Sequence, residues 1–284
     1  MNATASFVTE LADLPERKFI ALSEMVHRET GIVLPDTKRE LVRSRLGKRL
    51  RARGISHFPD YFQLIENDAS ERAAALDALT TNHTSFFREN HHFEHFAAEV
   101  RPALLRRATQ GERVRLWSSA SSSGEEPYSL AMTLLGADRN EGARIAGSDT
   151  MILATDLSPT VIAKAKAATY PLATTAAVPR PLASTWLRNR DGQSVIDPLC
   201  AGLVRYRELN LMQDWPFQGK FDVIFCRNVM IYFDDPTKER LQRRLVERLL
   251  PGGYFYIGHS ERLIGYAAER CRAIGHTIYR KDQA

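Results

Sequence analysis

A strand, a tight turn and a helix are encoded one after another in Leu116-Trp-Ser-Ser-Ala-Ser-Ser-Ser-Gly-Glu-Glu-Pro-Tyr-Ser-Leu130. Gly124 gives the backbone freedom to turn, while Pro127 and the acids Glu125 and Glu126 suit the first turn of a helix. An α/β domain places its ligand at such a turn. Because the turn lacks the G-x-G-x-x-G pattern and carries two acids, it favours a sugar hydroxyl or a cation over a pyrophosphate. The alternative is an ordinary capped turn.

The chain around this stretch alternates between strand and helix patterns, which is typical of a mostly parallel sheet covered on both faces. The predicted elements are strand Arg113–Ser118, helix 125–135, strand Met151–Thr155, helix 159–168, strands Leu203–Leu209 and Phe221–Cys226, helix 236–250, and strands Tyr254–Gly258 and His276–Arg280. Residues 169–202 break the alternation and are long for a loop. We interpret them as a small inserted β-subdomain with a hairpin turn at Asp191-Gly192.

Upstream, residues 14–80 show helical periodicity and no convincing strand. The apolar residues at three- and four-residue spacings are Phe19, Leu22, Val26, Leu41, Val42, Leu46 and Leu50. Gly31 and Gly54 are candidate helix stops, and helices at His57–Ile65 and Glu71–Leu79 complete a predicted bundle. The stretch 80–88 then breaks the pattern, and a helix is expected from Glu89 to Arg107. These patterns predict a helical domain at 1–80, an ordered linker at 81–90 and an α/β domain at 91–284.

The formal net charge of +5 is concentrated in one segment. Between Lys38 and Arg53 eight basic residues accompany one acid, Glu40, which indicates either a surface for an anionic partner or a solvated helix face. No apolar run reaches about 18 residues and no charged-then-apolar leader is present, so we expect neither a membrane span nor a signal peptide. Three cysteines and the histidines at 91, 92 and 95 lack familiar metal-binding spacing, which indicates reduced thiols in a cytosolic protein and no metal site.

Side chains just after each strand are candidates for ligand contacts, because parallel strands end at one edge of a sheet. Asp156 can accept hydrogen bonds from ribose hydroxyls. The alternative is that its carboxylate serves only the start of the next helix. Asn210-Leu211 can offer amide and apolar contacts to a base. Arg227 and Asn228 directly follow an apolar strand, and Tyr232 comes shortly after them. The alternative for Arg227-Asn228 is a local ion pair and a capped turn.

Four motifs in order resemble the CheR family, the bacterial chemotaxis receptor glutamate methyltransferases that use S-adenosylmethionine. They are Thr80-Thr-Asn-His-Thr-Ser-Phe-Phe-Arg88 with His91-His-Phe93, Trp117-Ser-Ser-Ala-Ser-Ser-Ser-Gly-Glu-Glu-Pro-Tyr-Ser129, Phe225-Cys-Arg-Asn-Val-Met-Ile-Tyr-Phe233 and Gly258-His-Ser-Glu261. The resemblance implies a class I methyltransferase (Rossmann-like) sheet, with methyl transfer to chemoreceptor glutamates for sensory adaptation. The implied products are glutamyl γ-methyl esters and S-adenosylhomocysteine. It also implies a cytoplasmic enzyme that is recruited to membrane-bound receptor arrays, with no nucleic-acid partner and no membrane insertion.

The resemblance also implies residue roles by position. The residues implied to contact the cofactor are Asn82, Thr84, Arg88, Glu125, Asp156, Asn210, Leu211, Arg227 and Asn228. Arg88 and Tyr232 are implied to lie near the transferred methyl group. The N-terminal domain is implied to dock on the receptor's methylation helices through the basic helix 37–53, in which Arg45, Lys48, Arg49 and Arg53 fall near one face.

The implied chemistry requires positioning and no general base. A glutamate acceptor is ionised at neutral pH, since its ordinary pKa is ~4.3, and a sulfonium is a good leaving group. What remains is alignment and exclusion of water. Arg88 or Arg227 can orient the acceptor carboxylate through a charge-assisted hydrogen bond.

Two departures and three rival functions accompany the resemblance. Many family members carry Asn where this chain has Arg262. The loop around Asn189–Gln193 is shorter than in members that bind a receptor C-terminal pentapeptide, which favours a member without that tether.

A nucleic-acid methyltransferase would use the basic helix on phosphates, but Asn228-Val-Met-Ile replaces the Asn-Pro-Pro-aromatic motif of many such enzymes. A cofactor-binding regulatory protein without catalysis is the second rival. The third rival, an NAD-dependent oxidoreductase, fails because this chain lacks the glycine fingerprint of such enzymes.

Overall fold

The computed structural model describes residues 14–283. Their contacts separate two compact units: one ends at Thr81 and also includes Tyr232–Asp234, and the other runs from Asn82 to Ile231 and resumes at Asp235. The expectation about a signal peptide concerns residues 1–13, which lie outside the described residues. Within residues 14–283, no helix is both long and apolar enough to cross a bilayer.

The first unit consists of α-helices packed around an apolar core. Its helices are α1 Glu16–Thr30, α2 Arg39–Ala52, α3 Phe58–Asn67 and α4 Ala69–Leu79, with a 3₁₀ turn at Asp36–Lys38. The buried residues confirm most of the predicted stripe, namely Phe19, Leu22, Val26, Val42, Leu46 and Leu50. Leu41 is 36% exposed, so its assignment to that stripe was wrong. One helical residue turns the side chain by about 100°, which carries Leu41 away from the core that Val42 faces.

A buried carboxylate, Glu71 of α4, connects three of these helices. Glu71 is 1% exposed and accepts a hydrogen bond of 2.7 Å from the Tyr61 hydroxyl of α3. It also pairs with Arg49 and Arg53 at 2.7 and 2.6 Å. Burial on its own would raise the pKa of Glu71, but the hydrogen bonds from Arg49 and Tyr61 outweigh burial and lower it. Arg49 and Arg53 therefore attach α2 and the residue after it to α4.

Arg45 makes a comparable attachment one turn earlier on α2. Its Nη1 donates to the carbonyls of Leu79 and Thr80 at 2.8 and 2.7 Å, at the end of α4, where helix carbonyls lack partners within the helix. Lys48 is exposed, and its ammonium has no hydrogen-bond or ion-pair partner within residues 14–283. Of the four residues predicted for docking, three thus also hold the helical unit together.

Glu71→Gln is expected to lower the free energy of unfolding by about 2 kcal/mol, because the amide cannot serve all three donors, leaves Arg49 without a countercharge and leaves Arg53 only its longer pair with Asp68. Chemical denaturation followed by circular dichroism measures this change. Glu66→Gln, at an exposed position of α3, is the matched control and should change little. An unchanged free energy of unfolding for Glu71→Gln at neutral pH would contradict the structural role of the carboxylate.

The pH dependence of the same difference is a second readout. Since the folded pKa of Glu71 is lowered, the stabilisation is fully present above the unfolded pKa of ~4.3 and is lost as the pH falls through the folded pKa. The stability difference between wild type and Glu71→Gln should therefore shrink under acidic conditions.

The second unit is an α/β fold on a seven-stranded sheet. Its strands are β1 Val114–Ser119, β2 Thr150–Asp156, β6 Val204–Glu208, β7 Phe221–Cys226, β8 Leu249–Ile257, β9 Cys271–Gly275 and β10 Ile278–Lys281. The order across the sheet is β6-β2-β1-β7-β8-β10-β9. Strands β6, β2, β1, β7 and β8 pair in parallel, whereas β10 is antiparallel to both of its neighbours. The predicted mostly parallel sheet is confirmed, and strand order reverses at β1, where such folds bind ligands.

The helices of this unit lie between the strands and before β1. They are α5 His91–His95, α6 Arg101–Thr109, α7 Glu125–Leu135, α8 Arg139–Ala146, α9 Pro159–Ala167, α10 Arg180–Trp186, α11 Pro198–Leu203, α12 Asp235–Glu247 and α13 Gly265–Arg270. A π-helical turn at Phe96–Val100 joins α5 to α6, just before Pro102, whose missing N–H and ring disfavour regular α-helical bonding there. The predicted helix 236–250 instead ends at Glu247, because Leu249 begins β8.

Residues between α9 and β6 form the predicted insert. Its strands β3 Thr169–Pro171, β4 Leu187–Arg190 and β5 Gln193–Ile196 form an antiparallel sheet in the order β3-β5-β4. Asp191 and Gly192 both have positive φ, 51° and 74°, as a two-residue type I′ hairpin turn requires, which confirms the predicted hairpin. The Tyr170 hydroxyl of β3 donates to the Ser123 carbonyl at 2.7 Å, so the insert contacts the turn after β1.

Candidate active site

The turn after β1 has the conformation that its small residues predict. Gly124 has φ 99°, and a Cβ there would lie 2.7 Å from the Tyr170 hydroxyl and 2.8 Å from that of Tyr206, so no larger residue fits. Helix α7 begins at Glu125, with Glu125 and Glu126 in its first turn. The strand, turn and helix predicted for this stretch are confirmed.

Asp156, at the end of β2, is fixed by backbone amides on both sides. Its Oδ2 accepts from the Ser122 amide at 2.8 Å and its Oδ1 from the Ser158 amide at 3.0 Å. The Ser158 side chain caps α9 by accepting from the Val161 amide at 3.2 Å. Because Ser158 supplies the cap, the Asp156 carboxylate is held between two strand ends, where the sequence predicts ribose contacts.

Two other predicted cofactor residues meet the same turn. The Ser122 hydroxyl donates to the Asn82 carbonyl at 2.8 Å, and the Ser123 hydroxyl donates to Glu125 Oε2 at 2.8 Å. Asn82 and Asp156, which are far from this turn in sequence, therefore both contact Ser122, and Glu125 contacts Ser123 from the end of the same turn.

The segment that follows Asn82 runs along α7 toward the end of β7. The Phe87 amide donates to the Ser129 hydroxyl at 3.0 Å. The Arg88 carbonyl accepts from Arg227, and Arg88 Nη1 donates to the His83 carbonyl at 3.0 Å. Thr84 is half-buried on this segment. Residues 82–88 thus bring two predicted site residues, Thr84 and Arg88, to the carboxyl edge of the sheet.

Arg227 is a buried cation held by two carboxylates. Its side chain is 1% exposed and contacts Glu126 Oε2 at 2.9 Å and Glu89 Oε2 at 3.2 Å. The guanidinium also lies over the Phe93 ring, 5.7 Å from its centroid. Since Arg227 already has two anionic partners, Arg88 is the better candidate for orienting an acceptor carboxylate.

Glu89 is a site residue that the sequence analysis missed. Besides Arg227, its carboxylate accepts from Asn228 Nδ2 at 3.1 Å and lies 2.8 Å from His259 Nδ1. Burial favours the neutral acid, but the charge of Arg227 and the bonds from His259 and Asn228 lower the pKa of Glu89 to about 2. The sequence pattern predicts a helix that starts at Glu89, but the helix begins at His91. The position of Glu89 directly after the motif ending at Arg88 was the one available signal.

Asn228 and Glu261 join the ends of β7 and β8. Asn228 has φ 58°, and its amide donates to the Glu261 carboxylate at 3.1 Å. That carboxylate also accepts from the amides of Met230 and Gly258. Burial raises the pKa of Glu261, against the opposing effect of these amides. Glu261 of the Gly-His-Ser-Glu motif therefore shapes the loop that carries Asn228.

Asn210 and Leu211 follow β6 at the same edge of the sheet. Asn210 Oδ1 accepts from the Met212 amide at 2.9 Å, which forms a tight turn. Leu211 is 9% exposed, and its carbonyl accepts from Arg244 at 2.7 Å. The turn gives the pair a defined place, and their contact with a base stays a prediction.

Tyr232 lies in the helical unit, where its carbonyl accepts from the Val33 amide at 2.9 Å. Next to it, Asp234 Oδ2 lies 2.9 Å from His27 Nε2. The predicted role of Tyr232 near the methyl group stays a prediction.

The histidines and cysteines take structural positions. His92 is fully buried with Nε2 2.9 Å from the Thr277 hydroxyl, and burial lowers its pKa to about 3. His95 Nδ1 lies 2.8 Å from the Tyr256 hydroxyl. The three cysteines are buried thiols. Within residues 14–283, no group of three or more His, Cys, Asp or Glu side chains has a metal-binding arrangement.

The chemistry of this edge fits an adenosine cofactor with cationic groups. Two carboxylates, Asp156 and Glu125, suit hydroxyl donors and a positive charge. The Ser121 hydroxyl and the Arg227 Nε–H are buried without a hydrogen-bond partner in the described part of the chain. Because buried polar groups are normally hydrogen-bonded, these two atoms are consistent with a polar ligand at this edge.

Comparison with known proteins gives matches along most of the chain. The model of the CheR methyltransferase SAM binding domain matches residues 82–279, and that of the CheR methyltransferase all-alpha domain matches residues 17–80. A "Probable chemotaxis protein methyltransferase" of Rhizobium etli is 46% identical over 262 residues, covering 90% of this chain and 96% of the relative. "Chemotaxis protein methyltransferase 2" of Pseudomonas aeruginosa is 40% identical, covering 92% and 91%. "Chemotaxis protein methyltransferase" of Escherichia coli is 37% identical, covering 96% and 93%.

Proposed function

Because this chain belongs to the CheR family of S-adenosylmethionine-dependent methyltransferases, we propose that it methylates glutamate side chains of chemoreceptors. The acceptors are in the cytoplasmic methylation helices, and the products are glutamyl γ-methyl esters and S-adenosylhomocysteine for sensory adaptation. The observation that carries the proposal is the convergence of Asn82, Glu125 and Asp156 on one turn after β1.

Different residues at this edge bind different parts of the cofactor. Asp156 accepts hydrogen bonds from the ribose hydroxyls, and Glu125 offers negative charge to the cationic amino-acid end. Asn210 and Leu211 contact the base. Arg227 and Asn228, which share Glu89, form the wall at the end of β7.

When bound, S-adenosylmethionine supplies a methyl group on a good leaving group, sulfur. The acceptor carboxylate is already ionised near pH 7, because its ordinary pKa is ~4.3, so no side chain of this protein has to remove a proton. Arg88 orients that carboxylate, since one guanidinium nitrogen bonds to the His83 carbonyl and a guanidinium has five N–H donors. Tyr232 is proposed for the same positioning role. The protein then accelerates the reaction by aligning the carboxylate oxygen with the methyl group and the sulfur, and by excluding water.

The reaction is tested by transfer of labelled methyl groups from S-adenosylmethionine to membranes that contain chemoreceptors, followed by alkaline treatment. Label that base releases as volatile methanol supports a carboxyl methyl ester. Base-stable label would move the acceptor to nitrogen or carbon. No label, despite measurable cofactor binding, would contradict the proposal and favour the regulatory alternative.

Receptor docking is proposed for the exposed basic surface of α2. Arg45, Arg49 and Arg53 have contacts within the helical unit, so changing them also disturbs its packing. Lys48 and Arg51 are exposed and, three residues apart on a helix, lie on one face. They are therefore the residues with which to separate docking from stability.

The double change Lys48→Glu and Arg51→Glu is expected to raise the KM for a receptor fragment about tenfold, because opposite charges steer and hold an acidic partner. The dissociation constant for S-adenosylhomocysteine and the circular dichroism spectrum should stay unchanged. Arg17→Glu, an exposed charge reversal on α1, is the control. An unchanged KM for the double variant would mean that this face of α2 is merely solvated.

A further inference from the structure

A cavity of about 460 Å³ lies between the turn after β7, the first turns of α12 and the loop after β8. Apolar side chains of Met230, Ile231 and Ile264 form part of its wall, and Lys238, His259 and Arg262 supply basic groups. None of the nine residues predicted to contact the cofactor lines it. The cavity is therefore separate from the proposed cofactor site.

The charges around the cavity leave one cation without a partner. Lys238 pairs with Asp235 at 2.9 Å, and His259 pairs with Glu89 at 2.8 Å. The Glu261 carboxylate is occupied by backbone amides, as described above. Arg262 is exposed, and its guanidinium has no hydrogen-bond or ion-pair partner within residues 14–283. The cavity therefore suits a ligand with an apolar stem and one carboxylate.

Two carboxylates, Glu261 and Glu89, connect the cavity to the proposed catalytic edge. Its Met230–Ile231 wall begins two residues after Asn228, and Glu261 accepts from the amides of both Asn228 and Met230. His259 shares the Glu89 carboxylate with Arg227. The Glu89 carboxylate therefore connects His259, which lines the cavity, to Arg227, which is proposed to hold the cofactor. A ligand in the cavity would lie near the cofactor, as expected for part of the acceptor.

We propose that this cavity receives a second acidic side chain of the acceptor segment, close to the glutamate that is methylated, and that Arg262 pairs with its carboxylate. The inference rests on the proposed function. The methylene stem packs on Ile231, which is 45% exposed. Arg262 is then a specificity-determining residue that selects acceptor glutamates with an acidic neighbour.

The test is steady-state methylation of a cytoplasmic chemoreceptor fragment. Arg262→Glu is expected to raise the KM for the fragment about tenfold, as for the loss of one charge-assisted hydrogen bond. The kcat and the dissociation constant for S-adenosylhomocysteine should stay near their wild-type values. Arg262→Lys should recover part of the loss. Arg272→Glu, an exposed charge reversal on the edge strand β9, is the matched control and should leave the KM unchanged.

The acceptor side completes the experiment. Each acidic residue within about one helical turn of the methylated glutamate is neutralised in turn, and one such change is expected to raise the KM of wild type but not that of Arg262→Ala. A wild-type KM for Arg262→Glu would overturn the inference. It would also be overturned if every receptor substitution raised the KM by the same factor for wild type and for Arg262→Ala, because the two effects would then be independent. Failure of the proposed function is distinguishable, because wild type would then form no base-labile ester on any fragment.

Discussion

Glu89→Gln is expected to lower kcat/KM for S-adenosylmethionine about a hundredfold and to destabilise the α/β unit by about 3 kcal/mol. Glutamine keeps the shape of the side chain but removes one of the two negative charges that hold Arg227, whose side chain is 1% exposed. It also weakens the hold on Asn228 and His259. Because Arg227 and Asn228 are proposed cofactor contacts, their displacement should weaken cofactor binding as well as folding.

Isothermal titration with S-adenosylhomocysteine and denaturant unfolding separate these two effects. Glu112→Gln is the matched control, because Glu112 forms an ion pair of 2.8 Å with Arg107 but is 52% exposed. Exposed pairs contribute about 1 kcal/mol or less, so this variant should bind the cofactor normally. Reduced stability of Glu89→Gln with unchanged cofactor affinity would show that the carboxylate is structural and does not position the site.

The pH dependence of stability gives an independent check on Glu89. Its pKa is lowered to about 2 in the folded protein, against ~4.3 when unfolded. The stabilisation is therefore complete above the unfolded pKa and is lost as the pH falls toward the folded pKa. The stability difference between wild type and Glu89→Gln should narrow across this window, and a difference independent of pH would contradict the ionised role.

Local chemistry explains why the turn after β1 was predictable from the sequence. Gly124, the small residues before it and the acids after it each act within a few positions, so their order alone specifies a strand, a turn and a helix. The hairpin at Asp191-Gly192 was predictable for the same reason, since both residues tolerate positive φ. By contrast, α8 and β9 are short, and the sequence analysis missed them.

Contacts between distant residues could not be predicted from spacing. Glu89 and Arg227 meet through the fold, and no periodicity connects them. The basic residues of α2 show the same limit. Their spacing placed Arg45 and Arg49 near one face, but only the structure shows that Glu71 and the end of α4 engage them. A charge pattern thus indicated a surface without revealing which charges the fold itself uses.

Asp156→Ala is expected to weaken binding of S-adenosylhomocysteine about a hundredfold while changing the KM for the receptor little. The size follows from losing hydrogen bonds to a charged acceptor, about 1.5–3 kcal/mol each. Asp156 also accepts from the amides of Ser122 and Ser158, so alanine removes support from the turn as well as the ribose contact. Asp156→Asn retains one oxygen acceptor in the same shape and should lose less affinity.

Asp138→Ala separates the ligand contact from the loss of backbone support. Asp138 accepts from the amides of Asn140 and Glu141 at 2.8 and 3.2 Å, at the start of α8, which carries no predicted site residue. Its replacement should cost about 1 kcal/mol of stability, as for other helix caps, without changing cofactor affinity. If Asp156→Ala behaved like Asp138→Ala, with lower stability but normal cofactor binding, the Asp156 carboxylate would only brace the turn between β1 and β2. If cofactor affinity falls while the receptor KM holds, and the fall is much larger for Asp156→Ala than for Asp156→Asn at a similar loss of stability, the ribose contact at Asp156 is supported.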